Sequence, residues 1–148
     1  IIERLPGTIS IVGRIYEGIY KRLGDDSPDF FSGFRELTAE RCAQLNRIMP
    51  DREGVFYQSV ASKMKNQRSA GFPLNIGYRV IAPQDGENDG LVAADSMIWS
   101  GFLGLLSGTG RKGISHGDMI DLTGLNIRGF DVCEFYVNIL YGLKQRGL

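Results

Sequence analysis

One histidine stands among 148 residues, with two cysteines, one tryptophan and no excess of either charge, 17 Lys and Arg being matched by 17 Asp and Glu. The balanced charge and the lack of a basic run argue against nucleic acid or an anionic membrane surface as a partner. Cys42 and Cys133 lie far apart in sequence and lack metal-ligand spacing, so they read either as buried thiols or as one disulfide and do not define a redox compartment. No apolar run approaches the ~20 residues of a membrane-spanning helix. The sequence opens at Ile1 without a methionine or a signal peptide, so it reads as the middle of something longer, from which any targeting segment would be missing. The lone histidine, His116, is the one imidazole available as a proton-transfer base.

What is present is an ordinary globular composition, 43% apolar and 23% charged. From Ile9 to Leu23 the apolar residues recur at helical spacing, with Arg14, Glu17 and Lys21 on the other side. Gly24 to Pro28 ends that helix, and Phe30, Phe31 and Phe34 follow. Residues 1–34 therefore read as a helical segment that either closes a core or forms a lid, an amphipathic cover over an apolar groove. A second helix is expected from an N-cap at Thr38 through Met49, stopped by Pro50, and a strand over Val55–Val60. Residues 63–72 read as a surface loop or irregular helix. Tyr78–Ala82 is expected to be a second strand, broken by Pro83. Ala94 to Trp99 suits a helical turn, and Gly101 to Gly113 a glycine-rich loop. The last helix is predicted from an Asp131 cap through Leu143, with an apolar stripe that packs on the sheet and holds the His116 loop against it. Helix, short loop and strand in alternation define an α/β protein with a mostly parallel sheet.

Two glycine-flanked segments carry chemistry. Gly86-Glu87-Asn88-Asp89-Gly90-Leu91-Val92 puts an acid in a tight turn after an expected strand, where wound sheets place catalytic groups. Gly113-Ile114-Ser115-His116-Gly117-Asp118 holds the histidine. An acid followed in sequence by a histidine is the back half of a hydrolase triad ordered nucleophile, acid, histidine. Gly113 to Gly117 also matches the Gly-x-Ser-x-Gly nucleophile elbow, but no buried strand is expected before Ser115. The only histidine is its direct neighbour, ill-placed to reach back for its proton. Taken singly, an Asn-Asp-Gly turn and a lone histidine are both common structural features.

Together these residues resemble bacterial triacylglycerol lipases of the staphylococcal, Geobacillus and Pseudomonas/Burkholderia types. Tyr78 to Val92, with its Asn-Asp-Gly-Leu-Val core, is similar to their acid loop. His116-Gly117-Asp118 is similar to their His-x-Asp or His-x-Glu motif, and Arg35 to Tyr57 resembles the portion preceding the acid, so the likeness spans roughly residues 35 to 120. It implies an α/β-hydrolase fold, here its C-terminal portion, with 1–34 lid-like and 35–148 the acid- and histidine-bearing core. It implies Asp89 as triad acid and His116 as base, acting on carboxylic esters, most readily acylglycerols, and a secreted location.

The resemblance further implies a serine and oxyanion-hole amides upstream of Ile1, so that the N-terminal half of the same hydrolase domain becomes the expected partner. No cofactor is needed for such chemistry. Asp118, with Asp121 nearby, matches an acid that holds a structural calcium in several of these lipases; the other ligands have no clear counterpart, and a solvated or capping role stands beside it. A second functional class is a degenerate hydrolase fold kept as a lipid-binding or interaction module.

Overall fold

The first helix, α1 (Thr8–Arg22), carries Lys21 and Arg22 in its last turn, where the carbonyl end favours cations. The computed structural model describes residues 8–29, 32, 36, 39–124 and 127–148. They fall into two units, Ile1–Glu53 and Gly54–Leu148. In the first, a turn follows α1 in which the Asp25 carboxylate accepts the Ser27 amide at 3.0 Å. The second helix, α2 (Ala39–Ile48), has Glu40 in its first turn and Arg47 in its last, with Pro50 beyond. The Phe30, Phe31 and Phe34 cluster and the Thr38 cap lie outside the described residues.

The second unit is a mixed α/β arrangement around two parallel strands. Strand β1 (Ser59–Ser62) pairs with β2 (Phe102–Leu106) in the register Ser59 to Phe102, Ala61 to Leu105 and Ser62 to Leu106, with one irregularity before Ala61. Between them come α3 (Leu74–Asp85) and a 3₁₀ turn at Ala94–Met97; after them come a 3₁₀ turn at Asp118–Ile120 and α4 (Val132–Gln145).

Three sequence expectations need correction. Tyr78–Ala82 is helical, lying within α3, so no strand leads directly into the Asp89 turn. Five residues are too few to tell alternation from helical periodicity. Leu74, Gly77, Tyr78 and Ile81 share one helical face, and Pro83 fits inside the last turn at the cost of one helical hydrogen bond. Helix α3 ends instead at Gly86, whose φ of 75° no side chain favours and whose N–H donates to the Ala82 carbonyl. The strand expected over Val55–Val60 forms later, at 59–62, and the stretch expected to be a glycine-rich loop supplies β2. Its half-exposed Phe-Leu-Gly-Leu-Leu lacks the alternation that marks a strand with one buried face.

The buried residues gather where loops meet rather than between elements. Ala61, Ser62 and Met64 of β1 and its continuation lie against Asn88, Asp89, Ala93 and Ala94 of the acid loop and Ile114 and Ser115 of the histidine loop, all under 9% exposed. Backbone hydrogen bonds explain this. Past the end of β1, Lys63 N–H donates to Leu106 O (2.9 Å), Met64 N–H to Asn88 O (2.8 Å) and Lys65 N–H to Lys112 O (2.9 Å), while Ile114 N–H donates back to Lys63 O (2.8 Å). Three extended residues thus hold β2, the acid loop and the histidine loop.

Helix α4 starts as its sequence predicts, the Asp131 carboxylate accepting the Glu134 amide at 2.9 Å. Its Tyr136 O–H donates to Met119 O at 3.0 Å, fastening it to the 118–120 turn just beyond His116, while the Arg146 guanidinium lies 5.0 Å over the Phe56 ring. Of its apolar stripe Val132, Phe135, Ile139 and Leu143 are half-buried and Tyr136 and Leu140 exposed, as are Val137 and Tyr141 beside the stripe and Phe102, Leu103 and Leu105 of β2. The cysteines are free thiols, Cys42 half-buried and Cys133 exposed, so they are neither fully buried nor bridged. Among the described residues no helix is long and apolar enough to cross a membrane.

Candidate active site

The acid turn is organised by Asn88, which is 0% exposed. Its Nδ2 donates to Gly86 O at 2.9 Å and its Oδ1 accepts the Gly90 amide at 3.0 Å, closing the side-chain-supported turn that an Asn-x-Gly sequence favours. Glu87 O accepts the Ala94 amide at 2.8 Å, sealing the loop. Within it Asp89 is 1% exposed. One carboxylate oxygen, Oδ1, accepts the amides of Leu91 (2.9 Å) and Val92 (2.8 Å). The other is thereby aimed: Oδ2 lies 2.8 Å from His116 Nδ1 and 3.5 Å from the Ser62 hydroxyl at the carboxyl end of β1.

The histidine loop is held just as closely. Gly113 has φ 78°, and a Cβ there would sit 2.6 Å from both Lys63 O and Lys65 N, so only glycine fits beside the β1 continuation. Ser115 donates both its N–H (2.8 Å) and its hydroxyl (2.7 Å) to Asp118 Oδ2. His116 N–H donates to Asp89 O at 2.9 Å, so the acid and the histidine are joined through backbone as well as side chains.

Because the Asp89 carboxylate accepts, Nδ1 carries the proton of the neutral imidazole, and the Nε2 lone pair is left free. Among the described residues Nε2 has no hydrogen-bond partner, and the side chain is 46% exposed. The His116 pKa is raised above its ordinary 6.5, chiefly by the hydrogen bond to Asp89 and further by its charge, with burial acting in opposition. Two-dimensional NMR of the imidazole is expected to show Nδ1–H as the neutral tautomer and a midpoint above pH 6.5; in Asp89→Asn the midpoint should fall back toward or below that value.

Both sequence-predicted site residues, Asp89 and His116, are therefore brought together. Ser115 is not brought to them: it is 3% exposed and its hydroxyl is committed to Asp118, away from any base. Ser115→Ala should leave any ester hydrolysis within a few-fold of wild type and cost about 1 kcal/mol of stability, read by urea unfolding. Asp118, the acid matched to a structural calcium, has its Oδ2 accepting two bonds from Ser115, which is the capping role that stood beside the calcium one; among the described residues no group of three or more His, Cys, Asp or Glu side chains that could hold a metal ion is found.

Two contributors were not read from the sequence. Ser62 carries no local signal, being one serine in a short strand. Gly77 does carry one, a glycine amid apolar helix residues: a Cβ there would run into the Gly90 carbonyl oxygen, so its absence lets α3 lie directly against the acid turn. No family model matches the chain, and no curated protein or solved structure shows significant similarity to it.

Proposed function

We propose that this chain carries the acid and base of a serine ester hydrolase, as the C-terminal portion of an α/β-hydrolase fold. One observation carries the reading: a buried carboxylate, pinned by two backbone amides, is aimed at Nδ1 of the only histidine while Nε2 stays open. The order supports it too. The acid loop follows β1, the histidine follows the adjacent parallel β2, and a helix closes the chain, as in the triad order nucleophile, acid, histidine.

In this mechanism a serine hydroxyl placed at Nε2 gives its proton to His116 as it attacks the ester carbonyl. Asp89 stabilises the imidazolium, and His116 returns the proton to the departing alcohol. Water, deprotonated by the same Nε2, then releases the acid. The serine and the oxyanion donors come from a polypeptide segment other than the residues described here. The uncovered apolar faces of β2 and α4 are what such a segment would bury, because parallel strands are stable when covered on both faces. Acylglycerols are the substrate class that the lipase resemblance supports.

The test is hydrolysis of a chromogenic carboxylic ester by the protein assembled with its serine-bearing segment, beside His116→Ala. Loss of turnover in the variant supports the reading, and equal turnover in both removes His116 as base. A second reading is a non-catalytic lipid-binding module on the same fold, in keeping with an Nε2 that has no hydrogen-bond partner among the described residues; absence of turnover in both proteins would select it.

A further inference from the structure

We propose that a groove between residues 66–68 and 111–112 binds a phosphoryl group. The chain as a whole is electrically neutral, yet its charges are segregated. Residues 54–84 and 96–117 contain no Asp or Glu, and they supply Lys63, Lys65, Arg68, Arg79, Arg111 and Lys112. The fold brings the tips of these two stretches together. Asn66, Gln67, Arg68, Arg111 and Lys112 line an open groove of about 410 Å³, three cations and two amides without a carboxylate.

The groove's walls are stitched to each other. Lys65 N–H donates to Lys112 O at 2.9 Å, Asn66 Nδ2 donates to Arg111 O at 3.1 Å, and the Lys65 ammonium spans to Gly108 O (3.1 Å) and Gly110 O (2.8 Å). On the near side Asn66 Oδ1 accepts the Arg68 amide at 2.9 Å, fixing the turn from which Arg68 projects. The backbone is therefore ordered before any ligand arrives, which removes part of the entropic cost of binding.

Two neighbouring cations are already satisfied, Lys63 by the Glu87 carboxylate and Lys65 by carbonyls. The side chains of Arg68, Arg111 and Lys112, by contrast, have no hydrogen-bond or ion-pair partner among the described residues. Held beside one another they repel, and an anion between them relieves that repulsion. A lone carboxylate would be satisfied by one guanidinium fork. Two guanidinia and an ammonium, with the Gln67 amide as a neutral donor, match a group with three charged oxygens and nearly two negative charges. None of these residues belongs to the Asp89–His116 pair, so the inference stands or falls apart from the hydrolase reading.

The experiment is titration of the ¹⁵N-labelled protein with inorganic phosphate at constant ionic strength, with chloride as control, for wild type and R68Q/R111Q. Saturable amide shifts confined to 66–68 and 110–113, absent with chloride and at least about tenfold weaker in the double variant, are expected. Both positions are exposed, so unchanged spectra elsewhere will show that the variant is folded. Linear shifts, equal shifts with chloride, or equal affinity in the variant would overturn the proposal. Sedimentation with phosphatidic acid and with phosphatidylcholine vesicles then locates the source. Variant-sensitive binding to the first places the phosphoryl group on a lipid, and phosphate binding without vesicle binding places it on a soluble ligand.

Discussion

Asp89→Asn is expected to lower ester hydrolysis by the assembled protein by roughly four orders of magnitude while leaving its fold intact, the size of effect seen when a triad acid becomes an amide. The geometry explains why so small a change costs so much. The asparagine oxygen can still accept the Leu91 and Val92 amides, so the turn survives. Its NH₂ group then faces His116 Nδ1 and forces that nitrogen to accept. The imidazole proton moves to Nε2, the atom that takes the serine proton in the proposed mechanism, and that base would be lost. Measured kcat/KM together with the imidazole ¹⁵N shifts checks both halves, and a loss below about tenfold with the tautomer unchanged would contradict the assignment.

The same substitution has a thermodynamic signature. A histidine whose folded pKa is raised contributes stability that is fully present below its unfolded value, near 6.5, and is lost as pH rises through the folded value. The stability gap between wild type and Asp89→Asn should therefore be wider in mild acid than at high pH. Because the His116 side chain is 46% exposed, solvent keeps that contribution modest.

Gly90→Ala is the second large effect. Gly90 has φ 94°, and a Cβ there would lie 2.8 Å from Leu74 O and 2.9 Å from Leu74 Cβ and Met64 Sδ. The thioether can swing aside, whereas the α3 backbone cannot. Left-handed strain of ~1–2 kcal/mol and overpacking of ~1–3 kcal/mol give a destabilisation of about 2–5 kcal/mol. Gly86→Ala is the internal control. Its φ is 75° but nothing lies within 4 Å of a Cβ, so only the strain, ~1–2 kcal/mol, should appear. Urea unfolding of both variants decides the matter: equal losses would mean that α3 does not press on the acid turn.

These effects show what could be read from residues alone and what could not. Helices α1, α2 and α4 were legible because their signals are local: apolar periodicity, the Asp131 cap and the Pro50 stop each act within a turn or two. Asp89 and His116 were legible as candidates because short glycine-flanked turns define themselves. The sheet was not. Strands β1 and β2 are separated by thirty-nine residues of sequence between their ends, and their pairing depends on contacts that no local pattern encodes. Helix α3 is hidden at Tyr78–Ala82, where an aromatic and two β-branched residues favour a strand locally, and its helical face emerges only with Leu74 and Gly77. The contact between Gly77 and Gly90 is likewise a tertiary fact.

The continuation of β1 through Lys63 to Lys65 has a consequence for how the site comes apart. Met64 N–H holds the acid loop, Lys65 N–H and Lys63 O hold the histidine loop, and His116 N–H reaches across to Asp89 O. Opening either loop exposes the buried amides that secure the other, so acid and base belong to one cooperative unit of local unfolding. The dyad has no half-assembled form: amide protons of Met64, Lys65, Ile114 and His116 should exchange with solvent at one common rate, and proton-transfer competence should vanish in a single step.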